Sequence, residues 1–379
     1  MKQIKRFIAY AMLICVWAAC ASSKNKKTPA AEVLNVIEKV NDYWQSTNPA
    51  ATTAFWPEAA YHTGNMAVYN VTGNKKYLDY TTEWAHHNEW QGAKSTDKNA
   101  WKYKYGETDE YVLFGDWQIC FQSYIDLYNI EKDEKKIARA KEVIEHEMST
   151  SNNDYWWWAD GLYMVMPVMT KLYKLTGNQQ YLNKLYEYFN YSCSIMYDKD
   201  AKLFYRDARY VYPEHKTANG KKDFWARGDG WVFAGLAKVL GDLPKDSPHY
   251  AFFKEKYLEM AEAIKKSQNI EGYWTRSMLD PEHAPGPETS GTAFFTYGMA
   301  WGINNGFLDQ KTYESAIDKG WTYLTKTAMQ PDGTIGYVQP IGDRAIAGQV
   351  IDKNSTASFG VGAFLLAASE MYTYLKTGR

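Results

Sequence analysis

The chain has 379 residues, with 43 Lys and Arg against 44 Asp and Glu, for a formal charge of −1. That balance gives neither nucleic acid nor an anionic membrane surface an electrostatic reason to bind. Hydrophobic content of 45% and charged content of 23% describe an ordinary soluble globular protein, but 16% aromatic, with 15 Trp and 31 Tyr, suits either a wide core or a carbohydrate cleft.

Residues 1–23 read as an export signal. Lys2, Lys5 and Arg6 form a positive start, and Phe7–Trp17 is an apolar run too short to span a bilayer stably. Ala18-Ala19-Cys20-Ala21 then resembles a bacterial lipoprotein box, with Trp17 a poor fit at its first position. The alternative is ordinary cleavage after Ala21. Either route predicts an exported, periplasmic protein, lipid-anchored through Cys20 in the first case and tethered by the polar run Ser22–Thr28. The two remaining cysteines, Cys120 and Cys193, sit in apolar, helix-like surroundings and read as buried thiols. No CxxC or HExxH spacing occurs, so no protein-ligated metal and no cofactor is expected.

From Ala31 onward the chain is a degenerate repeat of helices broken by similar turns, such as VYNVTGN (Val68–Asn74), KLYKLTGN (Lys171–Asn178) and INNGFLD (Ile303–Asp309). In the two closest copies Gly73 and Gly177 end one helix, and Tyr-Leu opens the apolar stripe of the next. Six such turns with two helices per unit predict twelve helices, provided Ala31–Trp44 serves as outer partner to the last segment, Gly360–Leu375. That pairing favours a closed ring over an open superhelix. The prediction is an all-α protein, an (α/α)6 barrel of six helical hairpins over about residues 30–379, as monomer or weak dimer.

The loops leading into the inner helices then share one face, and they carry the unusual residues. Asp116 opens one inner segment, in GDW; a helix cap is its plainer reading. The next, Asn153–Met166 (NDYWWWADGLYMVM), runs three tryptophans into Asp160. A carboxyl in that neighbourhood loses hydration, which raises its pKa and lets it hold a proton to donate. The indoles, Trp158 among them, also suit a sugar ring. The competing reading makes Asp160 an N-cap beside a tryptophan-packed core. Tyr205–Asp223 is a long polar loop, read as a lid or specificity wall. In DFWARGDGW, Arg227 offers a planar fork of donors for a carboxylate, with Trp231 four residues on along the same helical face. An ion pair of Arg227 with Asp223 or Asp229 is the plainer alternative. His62 and His215 are candidate cleft donors that are as readily ordinary structural histidines.

WWWADGLYM, WARGDGW, ETSGTAFFTYGMAWGINNGFLD and the closing FGVGAFLLAASEMY together resemble the unsaturated rhamnogalacturonyl hydrolases of glycoside hydrolase family 105 and, more distantly, the unsaturated glucuronyl hydrolases. The resemblance runs from about Phe55 to the C-terminus. It implies an (α/α)6 barrel and a metal-free enzyme that removes a 4,5-unsaturated uronic acid from the non-reducing end of lyase-generated oligosaccharides of the pectin or rhamnogalacturonan type. By that likeness Asp160 matches the catalytic aspartate and Asp116 the second acidic residue. Arg227 and Trp231 match the substrate-binding pair, and Trp56 falls near a stacking aromatic. One departure is visible: LFYRDARY places Arg206 where the family tends to carry a cleft histidine, and the loop around His215 is the candidate compensation. The implied chemistry is proton donation by Asp160 to C4, water addition at C5, and collapse of the resulting hemiketal. Conventional glycosidases or sugar epimerases on the same barrel, and a non-catalytic sugar-binding lipoprotein, are the competing classes.

Overall fold

The computed structural model describes residues 29–378, so the export signal, Cys20 and the polar tether lie outside the described residues. Twelve α-helices follow one another as outer and inner members. The inner ones are α2 (Trp56–Thr72), α4 (Cys120–Ile130), α6 (Ala159–Thr176), α8 (Ala226–Asp242), α10 (Thr289–Asn304) and α12 (Ser358–Lys376). The outer ones are α1 (Pro29–Thr47), α3 (Lys75–His87), α5 (Lys135–Ser149), α7 (Gln180–Met196), α9 (Tyr250–Lys266) and α11 (Gln310–Tyr323).

Side-chain patterning decides which helix goes where. In α10 every residue but Asn304 is buried, as an inner position requires, whereas α3 buries only Tyr77, Thr81, Trp84 and Ala85 along one stripe. Each inner helix packs on the next around the ring, and α12 packs back against α2. Helix α1 lies along α12, so the N-terminal segment supplies the outer helix that the last unit lacks. The ring is therefore the closed (α/α)6 barrel. Its closing seam depends on two glycines: a Cβ on Gly64 would stand 2.2 Å from the Gly362 carbonyl oxygen, and one on Gly362 would stand 2.4 Å from that of Ala60.

The two like turns fold alike. Gly73 (φ 65°) and Gly177 (φ 69°) take the left-handed conformation that closes α2 and α6. One element departs from an all-helical chain: β1 (Tyr197–Asp198) and β2 (Leu203–Phe204) form a short antiparallel hairpin after α7. The Asp198 carboxylate accepts the Asp200 and Ala201 amides and so shapes the turn, which the helical periodicity before and after it conceals.

Candidate active site

The segments before the inner helices converge on a cleft of about 530 Å³. Phe55 and Trp56 come from the start of α2, Tyr105, Glu107 and Asp116 from the α3–α4 connection, and Trp157, Trp158 and Asp160 from the start of α6. Arg206 and Arg209 follow β2, and Ile341, Gly342 and Asp343 belong to the chain that folds back before α12.

Trp158 occupies the cap position of α6 in extended conformation, and Asp160 stands inside the first turn. Asp160 is thus not the N-cap. Its carboxyl is buried at 8% exposure, and burial raises its pKa although the Arg206 and Arg227 guanidiniums pull the other way. Asp116 lies in the middle of a 3-10 turn, Gly115–Trp117, just ahead of α4. Burial holds its carboxyl well above the usual carboxylate range, and the charge of Asp160 pushes the same way while Arg206 opposes it. Burial thus favours the protonated form at both carboxyls.

Of the two arginines that line the cleft, Arg206 is the one beside Asp160. Its Nε stands 3.6 Å from Asp160 Oδ2, its Nη1 donates to Asp207 at 2.7 Å, and its guanidinium lies 5.6 Å from the Trp157 ring. Two backbone contacts fix that position. The Ala159 amide donates to the Arg206 carbonyl at 2.8 Å, which ties the strand to the start of α6. The Phe204 amide donates to the buried Asp229 carboxyl at 2.8 Å, which ties it to α8. Asp207 is pushed up by burial, yet Arg209 and Arg206 together hold it below the ordinary value and leave it anionic.

Several sequence expectations are redistributed. Arg227 does not open into the cleft: it is fully buried, donates to the carbonyls of Gln339 (2.5 Å) and Pro340 (2.9 Å), and lies between the Trp225 and Phe359 rings. Nor does it pair with Asp223 or Asp229, whose carboxyls take Ser277 and Phe204. It holds up the chain that leads to Ile341 and Asp343. Trp231 is likewise buried, edge-on behind Trp56 at 6.2 Å and packed on Tyr163 and Phe294, so it supports a cleft residue without lining the cleft. His215 sits 3.2 Å from Asp223 Oδ2 and edge-on to Tyr210, and so braces the polar loop from behind. His62 is stacked 3.9 Å from Trp84 and hydrogen-bonded to Thr81 in the core. Trp56, Trp158, Arg206, Asp116 and Asp160 are the predicted residues that share the cleft.

Trp157, Tyr105, Glu107, Arg209, Ile341 and Asp343 were not singled out from sequence. Trp157 belongs to the run WWW and had a signal. Tyr105 and Glu107 lie in the irregular α3–α4 connection, and Arg209, Ile341 and Asp343 had little signal because two loops far apart in sequence meet there: Tyr210 OH donates to Asp343 at 2.5 Å, and Arg344 reaches the same hydroxyl at 3.3 Å. The Tyr205–Asp223 loop and the chain after Gln339 thus form one outer wall.

A barrel of helical hairpins with a tryptophan-lined cleft and a buried carboxyl pair suits a glycoside hydrolase, and the family comparison shows that class. The sequence model of Glycosyl Hydrolase Family 88 matches residues 31–375, so the chain belongs to that family. An unsaturated 3S-rhamnoglycuronyl hydrolase of Formosa agariphila is 34% identical over 340 residues, covering 86% of this chain and 87% of that protein. A solved glycosyl hydrolase family 88 structure from Bacteroides vulgatus is 55% identical (TM-score 0.90; 92% of this chain, 100% of the other). Another solved structure, described as a polysaccharide lyase, is 63% identical (TM-score 0.90; 92% and 98%). A possible family 105 member from Salmonella enterica shares the fold at 17% identity (TM-score 0.73; 100% and 97%).

Proposed function

We propose that the protein removes a 4,5-unsaturated uronic acid from the non-reducing end of an oligosaccharide by hydrating its enol-ether double bond. The observation that carries this reading is the adjacency of Arg206 and Asp160. In such a sugar the carboxylate carbon is bonded to C5, and C5 is doubly bonded to C4. A proton donor for C4 must therefore stand beside the carboxylate anchor, as Asp160 stands beside Arg206. Asp160 gives its proton to C4, and the C4–C5 π electrons form the new C–H bond. Positive charge develops at C5 and on the ring oxygen. Asp160, now a carboxylate, takes a proton from water as the water oxygen bonds C5, with Asp116 orienting that water. The hemiketal then opens to a ketone at C5, and the hemiacetal left at C1 releases the leaving sugar. One water is consumed and no bond to C1 is displaced, unlike the direct two-carboxylate schemes. The partly exposed indole of Trp157 offers stacking surface, with Trp56 also lining the cleft, and the rhamnoglycuronyl name of one relative supports a deoxyhexose next to the uronic acid.

The test is an S-linked analogue of the unsaturated disaccharide. Hydration at C4–C5 leaves the sulfur link to collapse with the hemiacetal, so the analogue should be cleaved. An analogue left intact while the O-linked sugar is cleaved would favour direct displacement at C1. A second reading, elimination from a saturated uronate, takes its support from the lyase description of one relative. It differs in the sign of the double-bond absorbance change.

The signal-like segment supports export, with acylation at Cys20 as one form. Labelling with a fatty acid decides it: a Cys20→Ala protein that stays membrane-bound rules out the lipid anchor.

A further inference from the structure

Helix α6 contains Pro167, and a proline has no amide hydrogen to give to the carbonyl four residues earlier. That carbonyl belongs to Tyr163, which is buried one turn below Asp160. A buried carbonyl without a donor costs about 1–3 kcal/mol, and here the missing donor comes from another helix. Gln122 of α4 donates through Nε2 to the Tyr163 carbonyl at 2.8 Å and to the Met164 carbonyl at 3.0 Å. Its Oε1 accepts Lys238 Nζ, of α8, at 3.0 Å. The lysine fixes which way the amide points: reversed, the amide would set its oxygen against two carbonyl oxygens and its NH2 against an amine. Tyr163 is joined to α2 as well, through its hydroxyl and Thr63 Oγ1 at 2.7 Å.

Gln122 lies six residues after Asp116 in one nearly continuous helical run, and Tyr163 lies three after Asp160. We propose that Gln122 is a positioning residue that uses the carbonyl freed by Pro167 to tie α4 to α6, so that Asp116 and Asp160 hold a fixed separation. The proposal rests on the reading of these two carboxyls as the reacting pair. It explains why a proline, disfavoured inside a helix, sits about two turns below the candidate acid. Lys238 supports the arrangement: burial lowers its pKa to about 7, with Lys171 acting in the same direction, so it can serve as a neutral donor to the glutamine.

Two variants test it. Gln122→Glu keeps an acceptor for Lys238 and removes both donors to α6. Its kcat on an unsaturated uronyl disaccharide should fall about tenfold to a hundredfold with KM within about twofold, the pattern of a misplaced reacting group. The alkaline limb of its pH profile should also move, since the separation of the carboxyls sets their mutual repulsion. Pro167→Ala returns an N–H to Tyr163 and competes with Gln122; it deletes two buried ring carbons, against which the regained helical hydrogen bond counts. It should lower kcat several-fold with an unchanged or raised melting temperature. A Gln122→Glu protein that melts earlier yet keeps wild-type kcat and pH limb overturns the proposal. Should that variant fail to fold, a Pro167→Ala protein with wild-type kcat and pH limb overturns it. Difference infrared titration of the Asp116–Asp160 pair gives a readout free of substrate: a shifted titration supports the tie, and an unchanged one in both variants contradicts it. Wild-type protein inactive on the disaccharide would contradict the cleft reading alone.

Discussion

Arg206 Nε and Asp160 Oδ2 face each other across 3.6 Å, both buried and neither with a hydrogen-bond partner. A closed ion pair would satisfy both atoms. Left open at the head of a cleft, the pair presents a cation for an anionic ligand and a carboxyl beside it for proton transfer.

Asp160→Asn should fold and bind but lower turnover by at least about 10²-fold, the usual scale for losing a general acid. Steady-state kinetics beside a thermal melt checks this. A folded variant with near-normal kcat would remove Asp160 from the proposed role.

The two arginines should separate cleanly. Arg206→Ala should abolish the preference for a free uronate over its methyl ester, and Arg206→Lys should cost about 1.5–3 kcal/mol in kcat/KM through the lost planar fork. Arg227→Ala should instead lower stability by at least about 2 kcal/mol, since the Gln339 and Pro340 carbonyls lose their donors. The acid-over-ester ratio for both variants, read with denaturant melts, assigns the anchor. An Arg227→Ala protein of normal stability that loses the preference would reverse it.

Activity that needs a protonated carboxyl falls as pH rises through that carboxyl's pKa. Burial raises both members of the pair and Arg206 pulls both down. Removing the cation should therefore move the alkaline limb of kcat to higher pH in Arg206→Gln. A limb that stays or moves down would contradict the electrostatic account.

Glu147, at the end of α5, is buried and accepts Gln118 Nε2 at 2.5 Å; burial lifts its pKa to about 8. A carboxyl raised on folding supports the fold fully below its unfolded value and loses that support as pH climbs to the folded one. Wild-type stability should thus fall by up to about 5 kcal/mol between roughly pH 4.5 and 8 from this group. Glu147→Gln should remove that slope. Urea melts across the range check it, and equal slopes would exclude the effect.

The barrel was legible because its signals are local. The TGN turns require a left-handed Gly73 and Gly177, and inner segments such as α10 carry apolar or small residues on every side. Asp160 and Asp116 were legible because each stands among its own aromatic neighbours. Arg227 was not: its four-residue spacing from Trp231 places both on one face of α8, but that face meets a backbone that arrives 112 residues later, at Gln339. The same holds for Ile341 and Asp343, which reach the cleft on a loop that Tyr210 and Arg227 help to hold and that no periodicity marks. Glu288 shares that task by accepting the Gln339 amide at 3.1 Å.

The most direct measurement is the ultraviolet absorbance of the conjugated C4–C5 double bond when the protein meets a lyase-generated unsaturated disaccharide. Hydration predicts that the absorbance falls to baseline as the leaving sugar appears in equal amount, and that Asp160→Asn slows both together. Leaving sugar released with the absorbance intact would contradict it, and so would an absorbance that rises when the protein meets the saturated oligosaccharide.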